Sequence, residues 1–267
     1  MIVFILAGGL GKRMGSDIPK VCHQVLLSQT NTFYPMIVHV IMTALKLNPE
    51  SIYLIVGQYK TLIEKTISEY LSPEQFGLIK WVIQEEALGT GHAILCGLDY
   101  LKSHPNTPTL ILSGDVPLIS EFTLQQLFSN TNTNTNTNTN TNTNTNKLLI
   151  TELDEPTGCG RIGLGMDDQI IKITEEKDCS IEEKQIKLVN CGIYQINSDD
   201  LVNLLPKITN NNKASEYYLT DIVGLMVSNN IPINYYCLKK EFTYEIKNVN
   251  TKKDLDELND WIQVNKI

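Results

Sequence analysis

Apolar runs of strand length alternate with segments of helical periodicity along this chain. A strand buried on both faces gives a short continuous apolar run, whereas an amphipathic helix repeats its apolar positions every three to four residues. The predicted strands are Ile2–Leu6, Ile52–Val56, Ile79–Ile83, Thr109–Leu112, Leu148–Leu153, Ile170–Ile173, Leu188–Tyr194 and Ile233–Leu238. The predicted helices are Met36–Leu47, Lys60–Tyr70, Gly91–Leu101 and Leu124–Phe128. This alternation predicts an α/β fold, with a mostly parallel sheet covered by helices on both faces.

Residues 130–146 are an uninterrupted alternation of Asn and Thr. The tract has no apolar side chain to bury, so nothing offsets the entropy lost on ordering it. We therefore predict a disordered surface loop without a catalytic role. The 267 residues around and including it suit a single domain, residues 1–267.

Composition and charge narrow the classes of function. The net charge is −8 and no block of Lys and Arg occurs, which argues against binding to a nucleic-acid backbone but permits a small phosphorylated ligand. Six scattered cysteines without a C-x-x-C pair indicate free thiols and no structural zinc site. No apolar run approaches 18 residues, and the apolar start has no basic segment before it, so we expect a cytoplasmic protein without a membrane partner.

The richest segment is Leu6-Ala7-Gly8-Gly9-Leu10-Gly11-Lys12-Arg13-Met14-Gly15, followed by Pro19-Lys20. Glycines let backbone N–H groups approach phosphate oxygens, and two spaced cations, Arg13 and Lys20, would neutralise a polyphosphate. The pattern fits neither G-x-x-x-x-G-K-[ST] nor G-x-G-x-x-G, because Arg13 follows Lys12 and Met14 stands where the third glycine would be. A tight β–α turn without a ligand is the other interpretation.

This opening resembles the signature of the sugar-phosphate nucleotidyltransferases, and Gln84-Glu85-Glu86-Ala87-Leu88-Gly89-Thr90-Gly91-His92-Ala93 is similar to a stretch of bacterial N-acetylglucosamine-1-phosphate uridyltransferases. The resemblance runs from residue 6 to about residue 251. It implies the Rossmann-like fold of nucleotide-diphospho-sugar transferases. It also implies that the nucleotide is bound by Leu6, Ala7, Gly8, Gly9, Lys20, Gln84, Gly89, Thr90, Ser113, Gly114 and Asp115. Thr90 could also simply cap a helix.

A metal site is implied by two further segments that resemble the family. Ser113-Gly114-Asp115-Val116-Pro117-Leu118 follows a predicted strand, and Asn248-Val249-Asn250 occurs near the end of the chain. The resemblance implies that Asp115 and Asn250 hold Mg²⁺, for which two protein oxygens plus phosphates and waters are an ordinary ligand set. Asp115 as a turn residue and Asn250 as the cap of a last helix are the alternatives.

Three later segments resemble the family's sugar-binding elements: Thr157–Ile162, Glu175–Asp178 with Asn190–Ile193, and Asn212–Asp221. They imply that the aminosugar is bound by Gly160, Glu175, Asn190 and Asn250. The alternatives are that Glu175–Asp178 is a solvated run of charges and that Tyr217 and Tyr218 pack on a helix. Ser113 and Cys159 stand where the bacterial enzymes commonly carry Tyr. We expect no acetyltransferase activity, because no β-helix of hexapeptide repeats follows in this sequence.

The implied reaction is transfer of UMP from UTP to N-acetylglucosamine-1-phosphate, with Mg²⁺ as cofactor and Arg13 and Lys20 as catalytic residues. Three alternatives stay open. The enzyme could use another hexose-1-phosphate or dTTP, the chain could be a sugar-nucleotide sensor without turnover, or it could be a nucleotidyltransferase of cofactor biosynthesis. The retained cations and carboxylate argue against the sensor, and Glu175–Asp178 and Glu216–Asp221 argue against the third. The sequence does not predict an oligomeric state.

Overall fold

The computed structural model describes residues 1–9, 11–27, 30–129 and 146–266. Most of the Asn-Thr tract, residues 130–145, lies outside this range. The described chain forms two compact units. Unit 1 comprises Met1, Leu88–Ile111 and Phe122–Thr243, and unit 2 comprises Ile2–Ala87, Leu112–Glu121 and Tyr244–Ile267. Because each unit is built from separate stretches of the chain, the interpretation as a single domain stays a prediction.

The strands have the following bounds: β1 Ile2–Leu6, β2 Gln24–Leu27, β3 Thr32–Pro35, β4 Ser51–Val56, β5 Ile79–Ile83, β6 Pro108–Ser113, β7 Lys147–Glu152, β8 Arg161–Leu164, β9 Ile170–Thr174, β10 Leu188–Asn197 and β11 Asn234–Leu238. The α-helices are α1 Met36–Leu45, α2 Lys60–Ser68, α3 Pro73–Gly77, α4 Thr90–Leu95, α5 Leu98–Lys102, α6 Glu121–Phe128, α7 Ser198–Leu204, α8 Asp221–Ser228 and α9 Lys252–Asn265. None of the helices in the described residues is both long and apolar enough to cross a lipid bilayer.

Unit 2 contains a parallel sheet made of β1, β4 and β5, as the apolar runs predict. Ile2 of β1 pairs with Ser51 of β4, and Ile52 of β4 pairs with Ile79 of β5. The rings of Phe4 and Tyr53 stack with centroids 4.8 Å apart. The buried side chains of these strands stabilise unit 2, because complete burial of one apolar side chain stabilises a fold by about 1.5–3 kcal/mol.

A second layer of unit 2 joins the two ends of the chain. The β2–β3 hairpin and α1 pack with α9 around a cluster of buried side chains. Its members are Met14, Val25, Leu26, Met36, Val249, Leu255, Leu258 and Ile262. The cluster thus connects the glycine-rich segment at the start of the chain to the segment around residue 250.

Unit 1 has a mixed sheet. The central strand β10 pairs antiparallel with both β6 and β7, and β7 pairs in parallel with β11. β8 and β9 form an antiparallel pair that joins β10 through Arg161 and Val189. The expectation of parallel pairing is therefore correct for unit 2 and too simple for unit 1.

Several predicted boundaries are wrong in an instructive way. The single helix predicted over Gly91–Leu101 is two helices, α4 and α5, because the chain turns at Cys96 and Gly97. The helix predicted from Leu124 begins three residues earlier, at Glu121. The hairpin β2–β3, the strand β8 and the helices α7 and α8 were not predicted at all.

Asn146, the last residue of the Asn-Thr tract, is folded into unit 1, so the prediction of disorder is wrong for this residue. Its side chain is 3% exposed and donates to Asp200 Oδ2 at 2.7 Å. Its Oδ1 accepts the backbone N–H of Asn197 at 2.8 Å. A buried amide with partners on both ends anchors the start of β7. The prediction of disorder for residues 130–145 concerns residues that the structure does not describe.

Candidate active site

The glycine-rich segment approaches Lys20 closely at Gly11 in unit 2. Gly11 has φ 58°, a left-handed conformation, and a Cβ placed there would lie 2.8 Å from Cβ of Lys20. A side chain at this position would therefore be both strained and in collision with Lys20. Arg13 follows in a short 3-10 turn, Lys12–Met14, and Lys20 opens another, Lys20–Cys22. The predicted cations are thus carried by two tight turns after β1.

Four predicted residues meet in unit 2. The ammonium of Lys20 donates to Asp115 Oδ2, and also to Asn250 Oδ1 at 3.0 Å. The guanidinium of Arg13 donates to the same oxygen of Asn250 at 3.2 Å. The side chains of Lys20 and Asp115 are only 15% and 10% exposed, so their ion pair is weakly screened by water. Residues that are up to 237 positions apart therefore form one polar cluster.

Backbone contacts hold Asn250 beside Asp115. The N–H of Val249 donates to the carbonyl oxygen of Asp115 at 3.1 Å. The N–H of Asn250 donates to Asp254 Oδ2 at 2.9 Å, and Thr251 and Asp254 form the capping box of α9. The alternative reading of Asn250 as the cap of the last helix is therefore wrong, because Thr251 is the cap. The Asn250 side chain is left to bind the two cations.

Ser113, Gly114 and Gln84 surround this cluster and the end of β1. Ser113 Oγ donates to Asp115 Oδ1 at 2.5 Å, so both carboxylate oxygens of Asp115 have partners. The N–H of Gly114 donates to the Leu6 carbonyl oxygen at 2.9 Å. Gln84 is 7% exposed, and its Oε1 lies 3.3 Å from where a Cβ of Gly8 would be. The structure thus brings together Leu6, Gly8, Gln84, Ser113 and Gly114, and their binding of a nucleotide stays a prediction.

The donor set of Asp115 and Asn250 fits a hard cation. One carboxylate oxygen and one amide oxygen already converge on a single positive group, the ammonium of Lys20. In the part of the chain that the structure describes, no group of three or more His, Cys, Asp or Glu residues could form a protein-only metal cage. Two converging oxygens suit Mg²⁺, which keeps several waters and usually shares its remaining ligands with phosphate oxygens.

Gly89 and Thr90 lie in unit 1, where they are clamped to the segment around Tyr217. Gly89 has φ 118°, and a Cβ there would lie 2.5 Å from the carbonyl oxygen of Tyr217. Thr90 is the first residue of α4 rather than its cap, and its Oγ1 accepts the N–H of Leu219 at 3.0 Å. Tyr217 and Tyr218 lie outside the helices, but the ring centroid of Tyr217 is 6.2 Å from that of His92 in α4, so the alternative interpretation as packing on a helix is correct for Tyr217.

The predicted sugar-binding residues Gly160, Glu175 and Asn190 also meet in unit 1. A Cβ on Gly160 would lie 3.6 Å from Glu175 Oε1 and 3.7 Å from Cβ of Asn190. The N–H of Asn190 donates to the carbonyl oxygen of Gly160 at 2.9 Å. Glu175 and Asn190 therefore both lie next to Gly160, where a Cβ would collide with Ile173 Cγ2 at 2.9 Å, and a carboxylate and an amide can each bond to hydroxyl groups. The fourth predicted sugar-binding residue, Asn250, lies in unit 2 with Lys20, and its sugar contact stays a prediction.

Glu175 is not part of a solvated run of charges. Burial raises its pKa above the usual value, the hydroxyl of Thr220 lowers it by a hydrogen bond of 2.9 Å, and Asp221, Asp178 and Glu216 raise it further. Glu176, its neighbour, pairs with the buried Arg161 instead. Adjacent carboxylates thus have different roles, because one joins an ion pair and the other faces Gly160.

Three residues of the site were not singled out by the sequence. Thr220 bonds Glu175, Tyr194 bonds Asn190, and Asp254 bonds the backbone of Asn250. Thr220 and Asp254 could have been found, since the first falls in a segment that resembles the family and the second completes a T-x-x-D capping pattern. The sequence did not indicate a role for Tyr194, because a buried tyrosine fits the apolar pattern of a strand and does not stand out in it.

Comparison with known proteins agrees with this geometry. A family model described as "Nucleotidyl transferase" matches residues 2–264. A protein of Acanthamoeba polyphaga mimivirus is 40% identical to this chain over 261 residues, and it is named "Probable UDP-N-acetylglucosamine pyrophosphorylase". The aligned residues are 96% of this chain and 94% of that protein. "Bifunctional protein GlmU" of Legionella pneumophila (strain Corby) is 36% identical over 256 residues, and that of Nitrosococcus oceani is 38% identical over 263 residues.

The matches cover different shares of these relatives. The aligned residues are 96% of this chain but 51% of the Legionella protein, and 98% of this chain but 52% of the Nitrosococcus protein. This chain therefore spans about half the length of the bifunctional relatives. Among solved structures, a Bacillus anthracis protein assigned as a glucose-1-phosphate thymidylyltransferase, with sucrose bound, has a TM-score of 0.69 and 19% identity, with 98% of this chain and 96% of that chain covered. This likeness confirms the nucleotidyltransferase fold, a mixed and mostly parallel sheet with helices.

Proposed function

Because the chain belongs to the nucleotidyl transferase family, we propose that it transfers UMP from UTP to N-acetylglucosamine-1-phosphate and releases pyrophosphate. The product would be UDP-N-acetylglucosamine. The observation that carries this proposal is the convergence of Arg13, Lys20, Asp115 and Asn250 in unit 2. Two cations and two hard oxygens, held next to a glycine-rich turn, suit a nucleoside triphosphate.

The reaction needs no nucleophile from the protein. An oxygen of the sugar phosphate would attack the α-phosphorus of UTP in line, and pyrophosphate would leave. Arg13 and Lys20 would neutralise negative charge that moves onto the leaving pyrophosphate. Catalysis would come from positioning the two substrates and from charge neutralisation in a partly dry site. Arg13 and Lys20 are held for this role by the tight turns that follow β1.

Asp115 and Asn250 would hold Mg²⁺ through their oxygens. When bound, this ion would neutralise phosphate charge and polarise the phosphoryl group. Ser113 orients the Asp115 carboxylate through its hydroxyl, and Asp254 fixes the backbone of Asn250. Lys20 shares the oxygens that the metal would use, and the triphosphate is the other anionic partner available to its ammonium.

The two ends of the substrates would be recognised by different residues. Leu6, Ala7, Gly8 and Gly9 would offer backbone groups to the nucleotide, and Gln84, Gly89 and Thr90 would contact the uracil. An amide that both donates and accepts suits the edge of uracil, and Gln84 is buried beside Gly8. Gly160, Glu175 and Asn190 would bind the hydroxyl and acetamido groups of the sugar.

The same chemistry on another substrate pair is the main rival. The Bacillus anthracis protein that shares the fold carries a name with a different sugar and base, glucose and thymine. Uracil and thymine differ by a methyl group, which a pocket distinguishes by roughly 1–3 kcal/mol, or 10- to 200-fold in kcat/KM. Polar groups such as Glu175 and Asn190 discriminate sugars more strongly, since an unmatched sugar leaves them without partners.

A substrate panel tests the assignment. Purified protein with Mg²⁺ would be given UTP or dTTP, each with N-acetylglucosamine-1-phosphate or glucose-1-phosphate, and the sugar nucleotides formed would be identified by mass spectrometry. We expect the highest kcat/KM for UTP with N-acetylglucosamine-1-phosphate. A higher value for any other pair would reassign the substrates, and binding of UDP-N-acetylglucosamine without any turnover would favour a sensor.

A further inference from the structure

A buried tyrosine lies directly behind the predicted sugar-binding amide of Asn190. Tyr194 is 2% exposed, and its hydroxyl accepts a hydrogen bond from Asn190 Nδ2 at 2.6 Å. The N–H of Gly192 donates to Asn190 Oδ1 at 3.1 Å. Both ends of the amide are therefore held by residues of the same strand.

An irregularity in β10 makes this arrangement possible. Asn190 pairs with Ile150 of β7, but Tyr194 pairs with Leu148, so four steps along β10 match only two along β7. Extra residues in one strand bend it and redirect its side chains. In a regular strand, the Cα atoms of residues 190 and 194 would be about 13 Å apart. The bend brings the amide of Asn190 within hydrogen-bond distance of the Tyr194 hydroxyl.

The two contacts select one orientation of the amide. A side-chain amide can rotate by half a turn, which exchanges its acceptor oxygen and its donor nitrogen. Gly192 requires an acceptor on one side, and the Tyr194 hydroxyl is available as an acceptor on the other. One proton of Nδ2 and one lone pair of Oδ1 are then left for a ligand.

The hydroxyl stays neutral in its surroundings. Burial raises the pKa of Tyr194, and the nearby negative charge of Glu175 raises it further, whereas the Asn190 contact lowers it less. Glu175, the carboxylate next to Gly160, is therefore near enough to Tyr194 to raise its pKa.

We propose that Tyr194 is a positioning residue that fixes the Asn190 amide for recognition of the sugar. The inference rests on the proposed function, because it assigns the sugar to Gly160, Glu175 and Asn190. Tyr194 itself is too deeply buried to contact the substrate, so it acts through Asn190. Its loss therefore affects ligands that carry the sugar and spares those that lack it.

A double-mutant cycle measured by binding tests this role. Isothermal titration with UDP-N-acetylglucosamine and with UDP would be performed on the wild type, Tyr194→Phe, Asn190→Ala and the double variant. Loss of one neutral hydrogen bond predicts that Tyr194→Phe weakens UDP-N-acetylglucosamine binding by about 2- to 10-fold and leaves UDP binding unchanged. In the Asn190→Ala background, the same change should cause no further loss.

Tyr53→Phe is the matched control, because Tyr53 is also buried, at 3% exposure, but lies on β4 in unit 2. It should leave both affinities unchanged. An equal loss for UDP and for the sugar nucleotide would overturn the proposal, and so would an undiminished loss in the Asn190→Ala background. No loss at all for Tyr194→Phe would overturn it as well, as would a wild type that binds UDP but not UDP-N-acetylglucosamine.

Binding measured by isothermal titration distinguishes a failure of this proposal from a failure of the proposed reaction. A positive cycle in a protein that releases no pyrophosphate would support the positioning role and refute the reaction. If the effects of the two substitutions simply add in an enzyme that releases pyrophosphate, the positioning role would be refuted and the reaction supported. The melting temperature of each variant, measured in parallel, shows whether a loss of affinity comes from a loss of fold.

Discussion

At the scale of single residues, the proposed catalytic role of Lys20 can be tested most sharply, because its ammonium is bonded to both Asp115 and Asn250. If it neutralises the leaving pyrophosphate, Lys20→Ala should lower kcat by about 10²- to 10³-fold, the usual effect of removing one donor that acts in the transition state. Steady-state kinetics with UTP and N-acetylglucosamine-1-phosphate measure this directly.

Lys102→Ala is the control for that substitution. Lys102 is 54% exposed on α5 and pairs with Asp99 at 3.5 Å, a surface contact that contributes little. Its removal should leave kcat within about twofold of the wild type, since it changes neither the site nor a buried group. Unaltered turnover in Lys20→Ala would remove Lys20 from the mechanism.

Glu175 gives a prediction about stability and pH. Its pKa in the folded state is raised, first by burial, so the folded protein binds a proton more tightly than the unfolded chain. Ionised Glu175 therefore destabilises the fold above its raised pKa, and this cost disappears as the pH falls below the unfolded value of about 4.5. Glu175→Gln should therefore raise the melting temperature at pH 8, and this gain should shrink as the pH falls toward 4.5.

Glu183→Gln should behave in the opposite way. The contact with Lys172, together with the backbone N–H of Ser180, lowers the pKa of Glu183 to about 2. Its contribution to stability is present above the unfolded pKa and is lost as the pH falls toward 2. Glu183→Gln should therefore lower the melting temperature at pH 8. The same sign for both variants would contradict these assignments.

The sequence predicted which residues form the polar cluster of the proposed phosphate site, but not the contacts between them. Arg13, Lys20, Asp115 and Asn250 could be named because each falls in a motif, although the motifs are up to 237 positions apart. Their mutual contacts could not be named, since those depend on how β1, β6 and the end of the chain pack. Tyr194 escaped notice for a related reason: only the bend of β10 gives its hydroxyl a polar partner.

At the scale of elements, the short segment before α4 is the most constrained. Leu88 accepts the N–H of Tyr217, and the N–H of Gly91 donates to the carbonyl oxygen of Tyr217, each at 2.8 Å. Gly89, between them, has φ 118° and no room for a Cβ. Strain and collision together predict that Gly89→Ala lowers the free energy of unfolding by about 3 kcal/mol.

Gly224→Ala is the matched control in the same unit. Gly224 lies within α8, and a Cβ there would meet nothing within 4 Å. This change should raise stability by about 0.5–1 kcal/mol, because alanine favours a helix over glycine. Urea denaturation of both variants measures the difference. Equal stabilities would show that Gly89 is not held against Tyr217 as the structure has it.

The sequence predicted strands more reliably than helices. β1 and β5 have the predicted bounds, because continuous apolar runs flanked by polar residues mark buried strands clearly. α7 and α8, which are seven and eight residues long, were not predicted. The antiparallel placement of β10 could not be read from its sequence, since direction depends on the connections between strands and not on their apolar content.

At the scale of the whole molecule, the chain is acidic, yet two of its cations converge at the proposed phosphate site. The net charge is −8, while Arg13 and Lys20 converge on one amide oxygen in unit 2. Unit 1 presents carboxylate and amide groups around Gly160 instead. The proposed function assigns phosphate groups to Arg13 and Lys20, and the sugar to Gly160, Glu175 and Asn190.

The most direct test of the central claim is pyrophosphate release by the purified protein with Mg²⁺, UTP and N-acetylglucosamine-1-phosphate. We predict release that requires both substrates and stops when EDTA removes the metal. Excess Mg²⁺ added after EDTA should restore it. No pyrophosphate under these conditions, from a folded protein that binds UTP, would contradict the proposed function.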